Sequence, residues 1–178
     1  GQVLSKVFGD DFPRFAGLLA ATSPQTSVKS NLKNALNIWV NWNAAGRPQS
    51  KAAIKRIMGQ SVEGDKGEDS VLGAWINNSV TALTEPEELI GLSGGKVDSF
   101  MRNIMGDEIA VTNDAWMATY FGIDAKIISS GRPKTWATNP GKTKDYMAIS
   151  VITRKAAAKL SKNAGEKWTP REVQETVW

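Results

Sequence analysis

The spacing of the apolar residues limits this chain most: they recur three and four apart in short runs cut by proline and glycine, and no run alternates apolar with polar positions as a half-buried strand does. The pattern predicts an all-α fold, a bundle of about eight helices, in a single helical domain over residues 1–178. No fixed-period repeat and no linker marks a second domain.

Residues 12–21 put Phe15, Leu18, Leu19 and Thr22 on one face, and Pro24 ends the run. A longer amphipathic helix sets Val28, Leu32, Ala35, Leu36 and Trp39 on one stripe and stops near Gly46-Arg47-Pro48. Ser50 suits the N-cap of a third helix with Ala53, Ile54, Ile57 and Met58 inward. The Gly- and acid-rich stretch 63–69 reads as a loop, followed by helix over 71–80 with Leu72, Trp75 and Ile76 inward. Thr84-Glu85-Pro86-Glu87 reads as a helix start, because Thr can cap, Pro suits the first turn and carboxylates favour the positive end of the dipole. That short helix reaches Leu92, Ser93-Gly94-Gly95 turns the chain, and 96–105 resumes through Val97, Phe100, Met101 and Ile104, giving a helix–hairpin–helix over 84–105.

After Gly106-Asp107 a helix is expected over 112–121, capped by Thr112 or Asn113, with Ile109, Val111 and Met117 in the core. Residues 127–144, with Gly131, Pro133, Pro140 and Gly141, read as a long loop, and 145–162 as a basic helix. Thr169-Pro170-Arg171-Glu172 writes a capping box with Pro at the first helical position. Val173, Val177 and Trp178 are expected to dock this last helix.

The chain has no cysteine and no histidine. Disulfides, thiol nucleophiles, Cys-ligated clusters, imidazole bases and His metal sites are thereby excluded, and Lys, Asp, Glu, Tyr, Ser and backbone groups remain as chemical tools. No cofactor and no metal site is expected, apart from a monovalent cation that hairpin carbonyls could hold. No apolar run approaches the roughly 18 residues of a membrane span, and residues 4–8 are too brief for a signal-peptide core. The lack of cysteine suits a reducing compartment, so a cytoplasmic monomer away from membranes is expected. The chain begins with Gly rather than Met, and Gly1 is given no structural role.

Two places carry candidate chemistry. In Leu92-Ser93-Gly94-Gly95-Lys96 the glycines permit positive φ and close backbone approach, and the following helix start offers free N–H groups to an anion such as phosphate. The same pattern also suits an ordinary helix–turn–helix corner with Lys96 solvated. Asp114, in Val111-Thr112-Asn113-Asp114-Ala115-Trp116, suits either a reaction or a favourable place in the helix dipole.

The stretch from Leu92 to Phe121 resembles the helix–hairpin–helix and catalytic aspartate of the DNA glycosylase superfamily that includes endonuclease III. There, a leucine, a glycine-bearing hairpin and a lysine open the second hairpin helix, and an aspartate follows in a Val-Asp-x-His type motif. Asp114 follows Lys96 by 18 residues, the spacing of that pattern. Phe15-Ala-Gly-Leu-Leu-Ala-Ala-Thr-Ser-Pro-Gln25-Thr26, with Asn31 and Ala35, is similar to the family's N-terminal signature, so the likeness spans most of 12–122. The hairpin is about two residues shorter than usual, Trp116 and Thr119 replace a common His and Arg, and the cluster cysteines are absent.

The resemblance implies a DNA glycosylase with abasic-site lyase activity. Lys96 would be the amine nucleophile, Asp114 the carboxylate that stabilises the sugar cation, and Gln25 the residue that fills the gap left by an extruded nucleotide. Gln25 also suits a plain turn-stabilising amide. Ser93, Gly94 and Gly95 would meet the DNA backbone. Phage-encoded relatives that act on modified thymine by transfer give a second implication, DNA hypermodification in a host cytoplasm. A third reading, outside enzymes, is a non-catalytic DNA-binding protein.

Charge fits a DNA partner. Between Lys126 and Arg171 there are eleven basic residues against Asp145 and Glu166, an excess of +9 in a chain of net charge +4. Such asymmetry suits a phosphate footprint that includes Lys134, Arg154 and Lys155, and equally a solvated helix face. Of the seven tryptophans, Trp39, Trp42, Trp75 and Trp116 are expected in the core or half-buried, while Trp136 suits stacking on an exposed base.

Overall fold

A computed structural model describes residues 1–62, 71, 73–86, 92–123 and 140–177, with the backbone alone for 140–145. Every regular element among them is helical. The contacts divide the chain into two compact units, Gly1–Ser93 and Gly94–Trp178.

The first unit holds α1 (Gln2–Phe8), a 3-10 turn at Gly9–Asp11, α2 (Phe12–Ala21), α3 (Val28–Ala44), α4 (Lys51–Ser61) and α5 (Gly73–Thr84). At its centre lies α2, whose residues from Phe15 to Ala21 are all buried, packed chiefly on α5 and also on α3. Neither α1 nor a role for Gly1 was expected from the sequence; the Gly1 carbonyl accepts the Ser5 N–H at 2.9 Å and so begins that helix. None of the α1 residues is buried, but Phe8 stacks on Phe15 at 3.9 Å, with the Trp39 ring edge-on to both. Arg47 closes this corner: its guanidinium lies over Trp39 and Trp42 and donates twice to Asp11.

The apolar stripe expected on α3 is rotated in the structure. Asn31, Asn34, Ala35, Ile38 and Trp42 are buried, whereas Val28, Leu32 and Leu36 are exposed, Val28 at 88%. Hydrogen bonding explains the choice. Asn31 Nδ2 donates to the Leu19 carbonyl at 3.0 Å and its Oδ1 accepts from Thr22 Oγ1 at 2.6 Å, so a buried amide completes the last turn of α2. Ser50 caps α4 as expected, its Oγ accepting from the Ala53 N–H.

Thr84 corrects the expected hairpin start. It is the last residue of α5, and its hydroxyl donates back to the Val80 carbonyl at 2.9 Å rather than capping a new helix. Residues 87–91 of that first hairpin helix lie outside the described residues.

The second unit contains α6 (Gly95–Met105), α7 (Ala115–Tyr120), α8 (Pro140–Ala164) and α9 (Pro170–Glu175). Val111, Met117 and Ile149 form a buried cluster with Phe121, Ile123 and Val177 against it. Ile109, expected in that core, is 62% exposed. The predicted 127–144 loop is shortened at its far end, because α8 already starts at Pro140, a residue suited to a first helical turn. The capping box of α9 forms as written: Thr169 Oγ1 accepts the Glu172 N–H, and the Glu172 carboxylate accepts the Thr169 N–H at 2.8 Å. Trp178 lies outside the described residues.

Candidate functional site

Lys96 and Asp114 both belong to the second unit. Lys96 is the second residue of α6, half-buried, directly after a turn that only glycine makes comfortably: Gly94 has φ +103°. Gly95 is needed for a different reason. A Cβ there would meet the Tyr146 ring at 3.2–3.3 Å, so the missing side chain admits an aromatic ring from α8, where the sequence suggested room for a ligand.

The segment 106–114 has no regular structure, yet side chains satisfy much of its backbone. Gly106 turns left-handed at the end of α6, and Asp107 Oδ1 accepts the N–H groups of Ile109 and Ala110. Asn103 Nδ2 donates to the carbonyls of Asp107 and Ala110, and its Oδ1 accepts from Thr112 Oγ1 at 2.7 Å. Gln174, from α9, takes the Thr112 N–H at 2.5 Å. These bonds fix the backbone that leads into Asp114.

Asp114 itself caps α7, which corrects the expectation that Thr112 or Asn113 does so. Its Oδ1 accepts the N–H groups of Trp116 and Met117 at 3.0 and 3.1 Å, while Thr112 and Asn113 are fully buried and bonded elsewhere. One carboxylate oxygen is thus fixed by the backbone, and the carboxylate as a whole is half-buried.

The side chain that joins the two candidates is Tyr146, which the sequence pattern did not single out. Its hydroxyl lies 2.9 Å from the Gly95 carbonyl and 2.9 Å from the Val111 carbonyl, and accepts the Asn113 N–H at 3.2 Å, with Ser99 Oγ also 3.2 Å away. One phenol oxygen therefore touches the residue before Lys96 and the residue before Asp114. Asn113 adds to the clasp by donating from Nδ2 to the Tyr146 carbonyl and to Ser150 Oγ. Burial pushes the Tyr146 phenol up to about 12, with the carboxylates of Asp98 and Asp114 adding to the effect, so it is a neutral positioning group.

Asp98, in the first turn of α6, is the other carboxylate here. Burial pushes its carboxyl up, Arg102 opposes this and Asp107 reinforces it, and its Oδ1 is buried with no hydrogen-bond partner among the described residues. The raised value means the charged form is disfavoured by folding: stability from this group is present below the ordinary carboxylate range and lost as pH rises through it. Asp98→Asn is therefore expected to raise the melting temperature at neutral pH; a lowered one in a thermal melt would show a missed partner.

The other expected DNA contacts are distributed as follows. In the first unit Gln25 is the exposed tip of the turn after α2, held at φ +61°, a conformation costing a non-glycine residue about 1–2 kcal/mol. The turn is fixed around it by Thr26 Oγ1, which donates to the Thr22 and Ser23 carbonyls, and by Trp75 Nε1, which donates to the Pro24 carbonyl. Ser93 has both backbone polar groups bonded to the Asn78 amide. In the second unit Arg154 is half-buried with Nε donating to the Ile109 carbonyl, and Lys155 is exposed. Lys134 and Trp136 lie outside the described residues. Trp116, expected in the core or half-buried, is instead 72% exposed.

A cleft of about 380 Å³ between 106–109 and 167–170 is bridged by the Lys167–Glu108 ion pair and is lined by neither Lys96 nor Asp114. Among the described residues no cluster of acidic side chains could hold a metal ion, and no helix is long and apolar enough to cross a membrane.

Among known sequences, the model of a family of unknown function, DUF7178, matches residues 2–178. The chain belongs to this family. No curated protein and no solved structure matches it. Membership in DUF7178 assigns no reaction.

Proposed function

We propose that this DUF7178 protein acts on DNA as a base-releasing enzyme of the helix–hairpin–helix glycosylase type, with Lys96 as nucleophile and Asp114 as the assisting carboxylate. One observation carries the reading: the Tyr146 hydroxyl bonds to Gly95 and to Asn113, so two candidates 18 residues apart in sequence both follow directly on atoms of a single clasp. A reaction that needs an amine and a carboxylate at one sugar is helped by tying the two backbone segments together.

In the proposed reaction the Lys96 amine attacks C1′ of the deoxyribose, and the glycosidic bond breaks with its electron pair leaving on the base, which takes up a proton. Loss of the amine proton and opening of the C1′–O4′ bond give an imine. Asp114 stabilises the positive charge on the sugar as the base departs. The turn at Gly94 and the start of α6 lie against the phosphate backbone.

Borohydride reduces such an imine to a stable amine. Incubating the protein with abasic DNA and borohydride is expected to give a covalent adduct, mapped to Lys96 by mass spectrometry, and Lys96→Ala is expected to lose it. Equal trapping by wild type and Lys96→Ala removes Lys96 from the mechanism. A substituted base in place of a free one, seen by mass spectrometry of the DNA product, would move the reading to base hypermodification.

A further inference from the structure

Trp116, which sequence periodicity expects in the core or half-buried, is on the surface, and so is Tyr120 one turn later, at 72% and 69% exposure. The two stand at i and i+4 on α7 and so share a face, about 6 Å apart along the axis. Tyr120 meets the Phe121 ring edge-on at 5.4 Å, yet it stays largely exposed, as Trp116 does. The inward side of the same helix is supplied by Met117 and Ala118, both buried. The helix start is fixed by Asp114, whose Oδ1 accepts the Trp116 N–H, so the rings project from a rigid base.

We propose that Trp116 and Tyr120 form a stacking platform for unpaired nucleobases next to Asp114. This rests on the reading of the chain as acting on DNA, and names the form of DNA that the site takes: a strand whose bases are unstacked, either single-stranded or opened at the target. Aromatic rings accept any base through its π-face, which aliphatic side chains cannot do. Although α8 also exposes Val151, Ile152 and Leu160, its charge favours nucleic acid over an apolar protein partner. From Tyr146 to Ala164, α8 has no acidic residue, and Lys155, Lys159 and Lys162 are all exposed at i, i+4 and i+7. That line lies in the same unit, on the helix whose Ile149 joins Met117 of α7 in one core, and it supplies phosphate contacts that aromatic stacking requires as a companion.

The test uses the full chain and fluorescein-labelled oligothymidine, alone and as a blunt duplex with its complement, read by fluorescence anisotropy. Trp116→Leu and Tyr120→Leu are each expected to weaken single-strand binding by roughly 5- to 150-fold, with Trp116→Phe retaining most of the affinity and duplex binding changing less than about twofold. Both side chains are exposed, so an unchanged circular dichroism melt accompanies the loss. The platform is overturned if Trp116→Leu binds as well as Trp116→Phe, if single strand and duplex lose equally, or if the wild type binds no single strand. Trapping separates the two readings. An adduct at Lys96 with single-strand affinity indifferent to Trp116 keeps the reaction and sinks the platform, whereas Trp116-dependent strand binding with no adduct keeps the platform and sinks the reaction.

Discussion

Asp114→Asn is expected to slow base release by about 10²–10⁴-fold while leaving DNA affinity and helix stability nearly unchanged. The separation is possible because the carboxylate has two tasks on one side chain. Its Oδ1 accepts the Trp116 and Met117 N–H groups. An asparagine carbonyl does this equally well at an N-cap, so the cap survives while the charge that would stabilise the sugar cation is removed. Asp114→Ala removes both, and is expected to cost about 0.5–2 kcal/mol of stability as well as turnover. Single-turnover release of a damaged base, together with thermal melts of the two variants, distinguishes these outcomes. Unchanged turnover in Asp114→Asn would reduce Asp114 to a helix cap.

The second large effect is on stability and its dependence on pH. Tyr146→Phe keeps the ring that packs on Gly95 and deletes only the oxygen shared by Gly95, Val111, Ser99 and Asn113. Buried backbone groups then lose their partner, at an expected cost of about 1–3 kcal/mol. The wild type should also have an alkaline transition that the variant lacks. The folded phenol lies at about 12 against 10.0 for the ordinary group. Its contribution is therefore complete below pH 10 and lost as pH rises from 10 to 12, on the order of a few kcal/mol in all. Urea unfolding of both proteins between pH 8 and 11.5 tests this through their difference, which cancels the titrating lysines common to both. Parallel curves would mean that the phenol is not sequestered as described.

Local signals were read well from the sequence and faces less well. The bounds of α2, the Ser50 cap and the Thr169–Glu172 box are properties of a few adjacent residues, and they stand in the structure as expected. The buried face of α3 is different, because what determines it is a polar contact with the end of another helix: Asn31 is inside for its hydrogen bonds, and hydrophobic counting turns it outward. Thr84 misleads in the same way, since its hydroxyl can cap a helix start or bond back within a helix, and only the run of α5 decides. Apolarity alone points Ile109 to the core and Trp116 to the core or its edge, yet burial in the second unit is taken by Val111 and Met117.

For the candidate site, Lys96 and Asp114 were legible as residues with a spacing, and the clasp between them was not. Tyr146 lies 32 residues beyond Asp114, and apart from Ser99 the partners of its hydroxyl are backbone atoms, which no side-chain motif records. The paired glycines were a visible clue to it. Of the two, only Gly94 requires its conformation; Gly95 requires empty space, and space of that kind implies a large side chain arriving from elsewhere.

The loop before Asp114 is shaped by amides and a phenol from three different helices, Asn103, Tyr146 and Gln174, more than by its own residues. Its form is therefore inherited at a distance. Ile109 is free to drift, being exposed and bonded through its backbone, while a change at 103, 146 or 174 would reshape a segment in which nothing had mutated. Among relatives that keep the chemistry, these three scattered positions should vary together or not at all.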